Sequence, residues 1–366
     1  MPATVWARTA QGRSDIRPLT SDCRHPGGAE YLPIAMVGID HFFQDRGVHD
    51  VGRRGPMIDH APVLLAAGIA QLPETLASGI VNGCIYALAA VSLLVVYNVT
   101  GVINFAVGDF LMAGAMLTLL FAGPNGDPHR LPLVLAVVLA VLIVTAVGAL
   151  LEILVIHPRR QYGTIFLLIL TIGISSLLEG GALIPTGSLT YGLRPFTSGP
   201  AVSIAGVLLP RQDFWIVGST LIVMGFLWYG ATRTRMGKAL RACEVNPTAA
   251  RLVGIRVDRY WTIAFALGAL LAALAGAILV PVTYATYNMG IPITLKAFVA
   301  WILGGVESPV GAVAGGVGFG VLEAVVLGYS PASVANYGDA VPLLLLIVVL
   351  VVRRHGLTRQ TAVTRV

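Results

Sequence analysis

An all-α, polytopic membrane helix bundle of about eight or nine transmembrane helices is the fold class that this 366-residue chain predicts, and three observations predict it. The composition is 56% hydrophobic and only 11% charged, with a mean hydropathy of +0.81, whereas soluble domains carry about 25% charged residues. The apolar residues gather in runs of spanning length, since about 20 helical residues cross a hydrocarbon core of roughly 30 Å. The 42 glycines fall inside those runs, where they serve close helix packing in lipid. Disorder is thereby excluded for all but the ends.

The elements follow in order. Residues 1–56 differ in kind from the rest: Arg-rich and Asp-rich, broken by Pro and Gly, and lacking the apolar h-region of a signal peptide. They are expected to be a poorly ordered N-terminal extension, with Met57 a sensible alternative start, leaving 57–366 as the transmembrane domain. Ala61 to Leu72, cut by Pro73, is expected at the membrane interface. Spans are then expected at about 79–97, 104–122, 132–156, 164–183, 213–231, 260–281, 309–328 and 338–352. The weaker piece 293–305 is short for a crossing.

Charge orients these spans. Residues 1–59 balance seven Arg against seven acids, so the net +6 lies wholly in the membrane portion. Within it, 232–259 holds seven basic and two acidic residues, and the tail from Arg353 holds four more basic ones. Both should face the cytoplasm together with Arg159 and Arg160. Topology thus accounts for the pI near 9.4, and no nucleic-acid partner is implied. Two spans separate Arg160 from 232–259, which puts the Pro/Gly/Ser/Thr-rich loop 184–212 outside, either as an ordered surface for an external partner or as a passive connector. Returning the tail to the cytoplasm requires 293–305 to cross, with Lys296 snorkelling to the interface. The side of the N-terminus stays open.

Cys23, Cys84 and Cys243 form neither a disulfide framework nor a zinc motif, and the seven His lack one-face spacing, so no metal site is expected. A proton-coupled secondary transporter should show intramembrane acid and His pairs in two matching halves, and a membrane enzyme should cluster catalytic groups at one depth. Neither pattern is present in the sequence.

The longest polar stretch inside the membrane portion, 233–259, carries its own capping logic. Ala239, Leu240 and Cys243 share one side of a short amphipathic helix. Asn246 then stands as the cap of a second helix, Pro247 as its first residue and Gly254 as its terminator. Two short helices on the cytoplasmic face fit this pattern, which suits a surface that something else pushes from inside; the plainer alternative is a positive-inside loop.

Three blocks in order, GVINFAVGDFLMAGAM (101–116), GKALRACEVNPTAARLVGI (237–255) and LKAFVAWILGGVESPVGAVAGGVGFGVLEA (295–324), resemble the ATP-binding cassette permeases for branched-chain amino acids, H-subunit type. The resemblance covers roughly 75–356. It implies a glycine-broken second span and a cytoplasmic coupling segment at 233–259, in which Arg241, Glu244, Asn246, Ala249, Ala250 and Gly254 match positions that contact or shape the contact with a partner ATPase. It implies a second related permease, two cytoplasmic ATPase subunits and an external solute-binding protein, all at the bacterial inner membrane. Without a Walker A loop, this chain is not expected to hydrolyse ATP; no cofactor is expected on it, ATP being bound by the partner subunits. Branched-chain or other hydrophobic amino acids are the implied substrates, with urea or short amides, moved by related permeases, as the alternative. One departure stands at Val107, where the family usually has His, so no polar role is carried over there.

Asn104 and Asp109, in a span interrupted by Gly101 and Gly108, are pathway candidates, because ionisable groups at membrane depth are costly and face cavities or partners. Asn104 would cap a half-helix; the alternative is that both residues merely cap a helix break near the interface. Glu179 and Glu323 are further pathway candidates, with polar bonding between helices as the competing role. Gly311, Gly315, Gly316 and Gly320 carry GxxxG spacings that predict close helix packing, and a smooth surface for sliding if function uses it.

Overall fold

The computed structural model describes residues 61–123, 130–197, 199–204, 207–306 and 308–330, with single positions at 340, 344, 347 and 348; the side chains of 61–70 are not described. The N-terminal extension, Cys23, most of the span expected at 338–352 and the basic tail lie outside these residues.

Ten α-helices make up the described part: α1 Ala61–Thr100, α2 Val107–Ala122, α3 Leu133–Leu151, α4 Thr164–Thr186, α5 Arg211–Arg233, α6 Arg235–Val245, α7 Pro247–Leu252, α8 Val257–Leu279, α9 Gly290–Gly304 and α10 Pro309–Tyr329. Six helical stretches are long and apolar enough to cross a membrane, and α2 and α9 are shorter apolar helices. The chain is an integral membrane protein of the helical-bundle class.

Two expectations, on Pro73 and on Lys296, are revised, and the loop 184–212 gains detail. Pro73 does not cut the chain: α1 runs through it for 40 residues, so 61–72 is part of the first long helix. A proline removes only its own N–H from the ladder, a loss that a long helix in the membrane accommodates locally. The loop 184–212 holds a small antiparallel hairpin, β1 Val202–Ile204 with β2 Val207–Leu209, and Tyr191 bridges to Ala285 through two backbone hydrogen bonds of 3.1 and 2.7 Å. Lys296 does not snorkel. It sits in the middle of α9 and pairs with Glu323 of α10 at 2.9 Å.

Small residues set the interior. Gly79 and Gly83 on α1 lie against α10, and a Cβ at Gly316 would come within 2.5 Å of the Ala87 Cα. Gly114 of α2 lies against Ala273 of α8, and Gly276 of α8 against Leu111 of α2. Ser92 of α1 donates to the Gly268 carbonyl of α8 at 2.7 Å. Without a hydrophobic drive in lipid, such close backbone contact is what holds helices together. Around this centre, α3, α4 and α5 turn large apolar side chains outward, among them Val134, Ile165, Leu177, Ile222 and Phe226.

The two ends of the bundle are distinct. At one end Val99, Cys243, Ala250, Val257 and Ala264 form a small buried cluster, and Arg160 reaches Asp258 at 2.7 Å. At the other end lie the Tyr191–Ala285 bridge and Gln212, whose Nε2 donates to the Ile278 carbonyl at 3.3 Å. Arg160 and the 233–259 segment therefore share an end, and the 184–212 loop occupies the opposite one.

Candidate coupling surface and transport pathway

The paired short helices expected over 233–259 are present, with the expected local chemistry. Thr234 Oγ1 accepts from the Gly237 N–H at 3.0 Å and starts α6; Asn246 Oδ1 accepts from the Ala249 N–H at 3.0 Å and starts α7, with Pro247 as its first residue. Gly254, at φ +86°, ends the motif in a left-handed conformation that suits glycine. Cys243 and Ala250 point inward onto Val99, Val257 and Ala264, so Ala250 shapes this surface from beneath. Burial pushes the Cys243 thiol above its ordinary pKa, as befits a packed residue.

The outer face is what a partner would meet. Arg241, Glu244, Asn246, Ala249 and Gly254 are all exposed. So are Val245 and Leu252, each 84%, and Val253 at 75%. These apolar knobs carried no signal in the sequence beyond a break in helical periodicity. Three large aliphatics are thus bare within one short segment.

Behind this surface a charge network fastens three elements. After α3 the helix widens into a π-turn, Glu152–Ile156, and then tightens into a 3₁₀ segment, His157–Tyr162. Glu152 is fully buried and accepts from the Arg160 guanidinium and from the Thr262 hydroxyl of α8. Arg160 also reaches Asp258, lies over the Trp261 ring at 4.1 Å, and shares Asp258 with Arg251 of α7 at 3.8 Å. Arg251 thus brings α7 to the edge of this network through an exposed contact. In the sequence Glu152 is one acid late in an apolar run, and nothing local points to Thr262, 110 residues away, as its partner.

The second span is broken where the glycines predict. α1 ends at Gly101, φ +68°, and α2 begins only at Val107. Asn104 Oδ1 accepts from the Ala106 N–H at 3.1 Å, but Ala106 itself occupies the cap position. Asn104 therefore shapes the turn before the helix instead of capping it. Thr294 of α9 accepts from the Gly108 N–H at 2.9 Å, and Thr171 of α4 accepts from the Phe105 N–H at 3.3 Å. Asp109, 1% exposed, takes the Ser175 hydroxyl on one oxygen and turns the other toward Gly290 at the start of α9. Glu179 lies one turn beyond Ser175, near enough for its charge to act on Asp109. Three of the four pathway candidates thus gather where α2, α4 and α9 meet. The fourth, Glu323, stands apart in its ion pair with Lys296.

The four glycines of α10 do not form one surface. Gly311 and Gly315 pack against Gly304 and Ala300 of α9, while Gly316 and Gly320 pack against Ala87 and Gly83 of α1. The close packing that the spacing predicts is therefore present on two sides of α10, against α9 and against α1.

A family model described as "Branched-chain amino acid transport system / permease component" matches residues 75–350. The chain is 32% identical over 306 residues to the high-affinity branched-chain amino acid transport system permease protein BraD of Pseudomonas aeruginosa, covering 80% of this chain and 97% of that protein. It is 32% identical over 301 residues to the corresponding permease protein LivH of Escherichia coli, covering 79% and 96%. A more distant similarity, 30% over 213 residues, links it to the galactose/methyl galactoside import permease protein MglC of Salmonella typhimurium, covering 55% of this chain and 59% of that protein.

Proposed function

The chain belongs to the branched-chain amino acid transport system permease family, and on that premise we propose that it is a transmembrane subunit of an ATP-driven importer of branched-chain or similar hydrophobic amino acids in the bacterial inner membrane. The observation that carries this reading is the α6–α7 pair: two capped helices at one end of the bundle, bare on the outside, packed beneath onto α1 and α8, and meeting through Arg251 the Asp258 that Arg160 also holds. A cytoplasmic ATPase pressing on this surface would move α7, and the charge network would pass the movement into the spans. A second permease would complete the pathway, two ATPase subunits would supply the work, and an external solute-binding protein would deliver the amino acid to the opposite end.

Mild solubilisation and affinity purification of this chain should bring down a cytoplasmic ATPase in stoichiometric amount. Glu244→Lys should sharply reduce uptake of leucine while leaving the chain in the membrane. Solute flux by the purified chain alone in liposomes, or wild-type uptake in the Glu244→Lys variant, would count against the assignment.

A further inference from the structure

On the side of the bundle away from α6 and α7, a cavity of about 320 Å³ opens between α1, the end of α8 and the start of α9. That size is at the low end of small-molecule sites. Asn82 is seventeen residues before Val99 on α1, so the cavity lies about 25 Å from the coupling surface. Its wall combines Lys296 and the amides of Asn82 and Asn288 with the apolar surfaces of Tyr86, Met289 and Ile293. Among the described residues of that wall Lys296 is the one cation. Its Nζ lies 2.9 Å from Glu323 Oε1 and 5.7 Å from the centre of the Tyr86 ring. Its side chain is 17% exposed and that of Glu323 is 5%, so the acid is sealed behind the base.

From this arrangement the geometry points to the cavity as the permease's own binding site for a zwitterionic α-amino acid, with the Lys296 ammonium receiving the substrate carboxylate. An ammonium has three donors, so Lys296 can keep Glu323 while directing another N–H into the cavity. Glu323 pairs with the cation and aims it, in a medium where a lone charge would be costly. The side-chain carbonyls of Asn82 and Asn288 can accept from the substrate ammonium, and Met289 and Ile293 offer the apolar surface that an aliphatic side chain needs. A urea or amide could use the asparagines but has no carboxylate for Lys296. The inference rests on the amino-acid reading above and adds to it a selective site on the permease.

The test uses the assembled transporter in liposomes carrying Thr283→Cys, at an exposed position of the cavity wall that holds none of the groups assigned to the substrate, labelled from outside with a membrane-impermeant maleimide, with the unsubstituted chain as background. Millimolar leucine should slow labelling of the new thiol roughly fivefold, the effect of filling most sites, and leucinamide, which lacks the carboxylate, should not. Adding Lys296→Gln should abolish the protection by leucine, and Lys296→Arg should retain part of it; labelling of the new thiol in each double variant reports that the cavity is still formed. Equal protection by leucine and leucinamide, no protection by either, or full protection in Lys296→Gln would overturn the proposal. Leucine uptake by the unsubstituted transporter separates the two readings: no uptake would sink the amino-acid function, whereas uptake without protection would sink only this site.

Discussion

At Gly316 the backbone of Ala87 occupies the space that any side chain would need. Gly316→Leu should therefore destabilise the folded protein by at least about 3 kcal/mol, the upper part of the usual cost of overpacking, because backbone cannot turn aside as a side chain can. Thermal unfolding in detergent would register this, and the same substitution at Gly318, which no described residue approaches within 4 Å, should cost less. The need for glycine in 311–320 was legible from spacing alone; which helix each glycine meets was not, since spacing carries no information about partners. The same division holds for polar residues. Asn246, Pro247 and Gly254 were readable because a cap is satisfied within three residues of itself. Lys296 and Glu323 were not, because their pairing depends on how α9 and α10 fold back on each other.

Among the elements, α3 shows how a span is converted into a lever. Its apolar part packs on α8 and α2, and the turns that follow it carry Glu152 and Arg160, which join it to α8 and, through Asp258, meet Arg251 of α7. Arg160→Gln would leave a buried carboxylate without its cation and should cost about 3–5 kcal/mol. Glu152→Gln added to it should recover much of that loss, since the uncompensated charge is then gone. A double-mutant cycle on the melting temperature checks this; no recovery would mean that Arg160 acts through its stacking on Trp261 instead. Arg160→Lys should recover only part, as a single ammonium replaces a planar fork that reaches two carboxylates. The existence and limits of α3 to α5 followed from hydrophobic length, whereas the continuity of α1 through Pro73 did not. A proline reads as a breaker in isolation, and only the surrounding packing shows that the helix survives it.

The molecule as a whole divides into a glycine-lined centre of α1, α2, α8, α9 and α10 and an apolar outer layer of α3, α4 and α5. The sidedness read from the basic loops agrees with the grouping of Arg160 with α6 and α7 at one end. Charge placement was sufficient for that, because every crossing reverses the side. Depth was harder to read: the gathering of Asn104, Asp109 and Glu179 needs the non-helical stretch 101–106 to bring α2 to α4 and α9. The pairing of α1 with α10 has a consequence for biosynthesis. The strip of α1 bearing Gly79 and Gly83 is finished long before Gly316 and Gly320 exist, and at synthesis rates of about 5–20 residues per second the wait is roughly 10–50 s. During that interval a nascent first helix lies in the bilayer with its notched side unfilled. Chains arrested before residue 309 should be cleared by membrane proteases faster than chains arrested after residue 330, a difference that pulse-chase labelling would reveal. Completion of α10 would thus close the interval in which the notched side of α1 is open to those proteases.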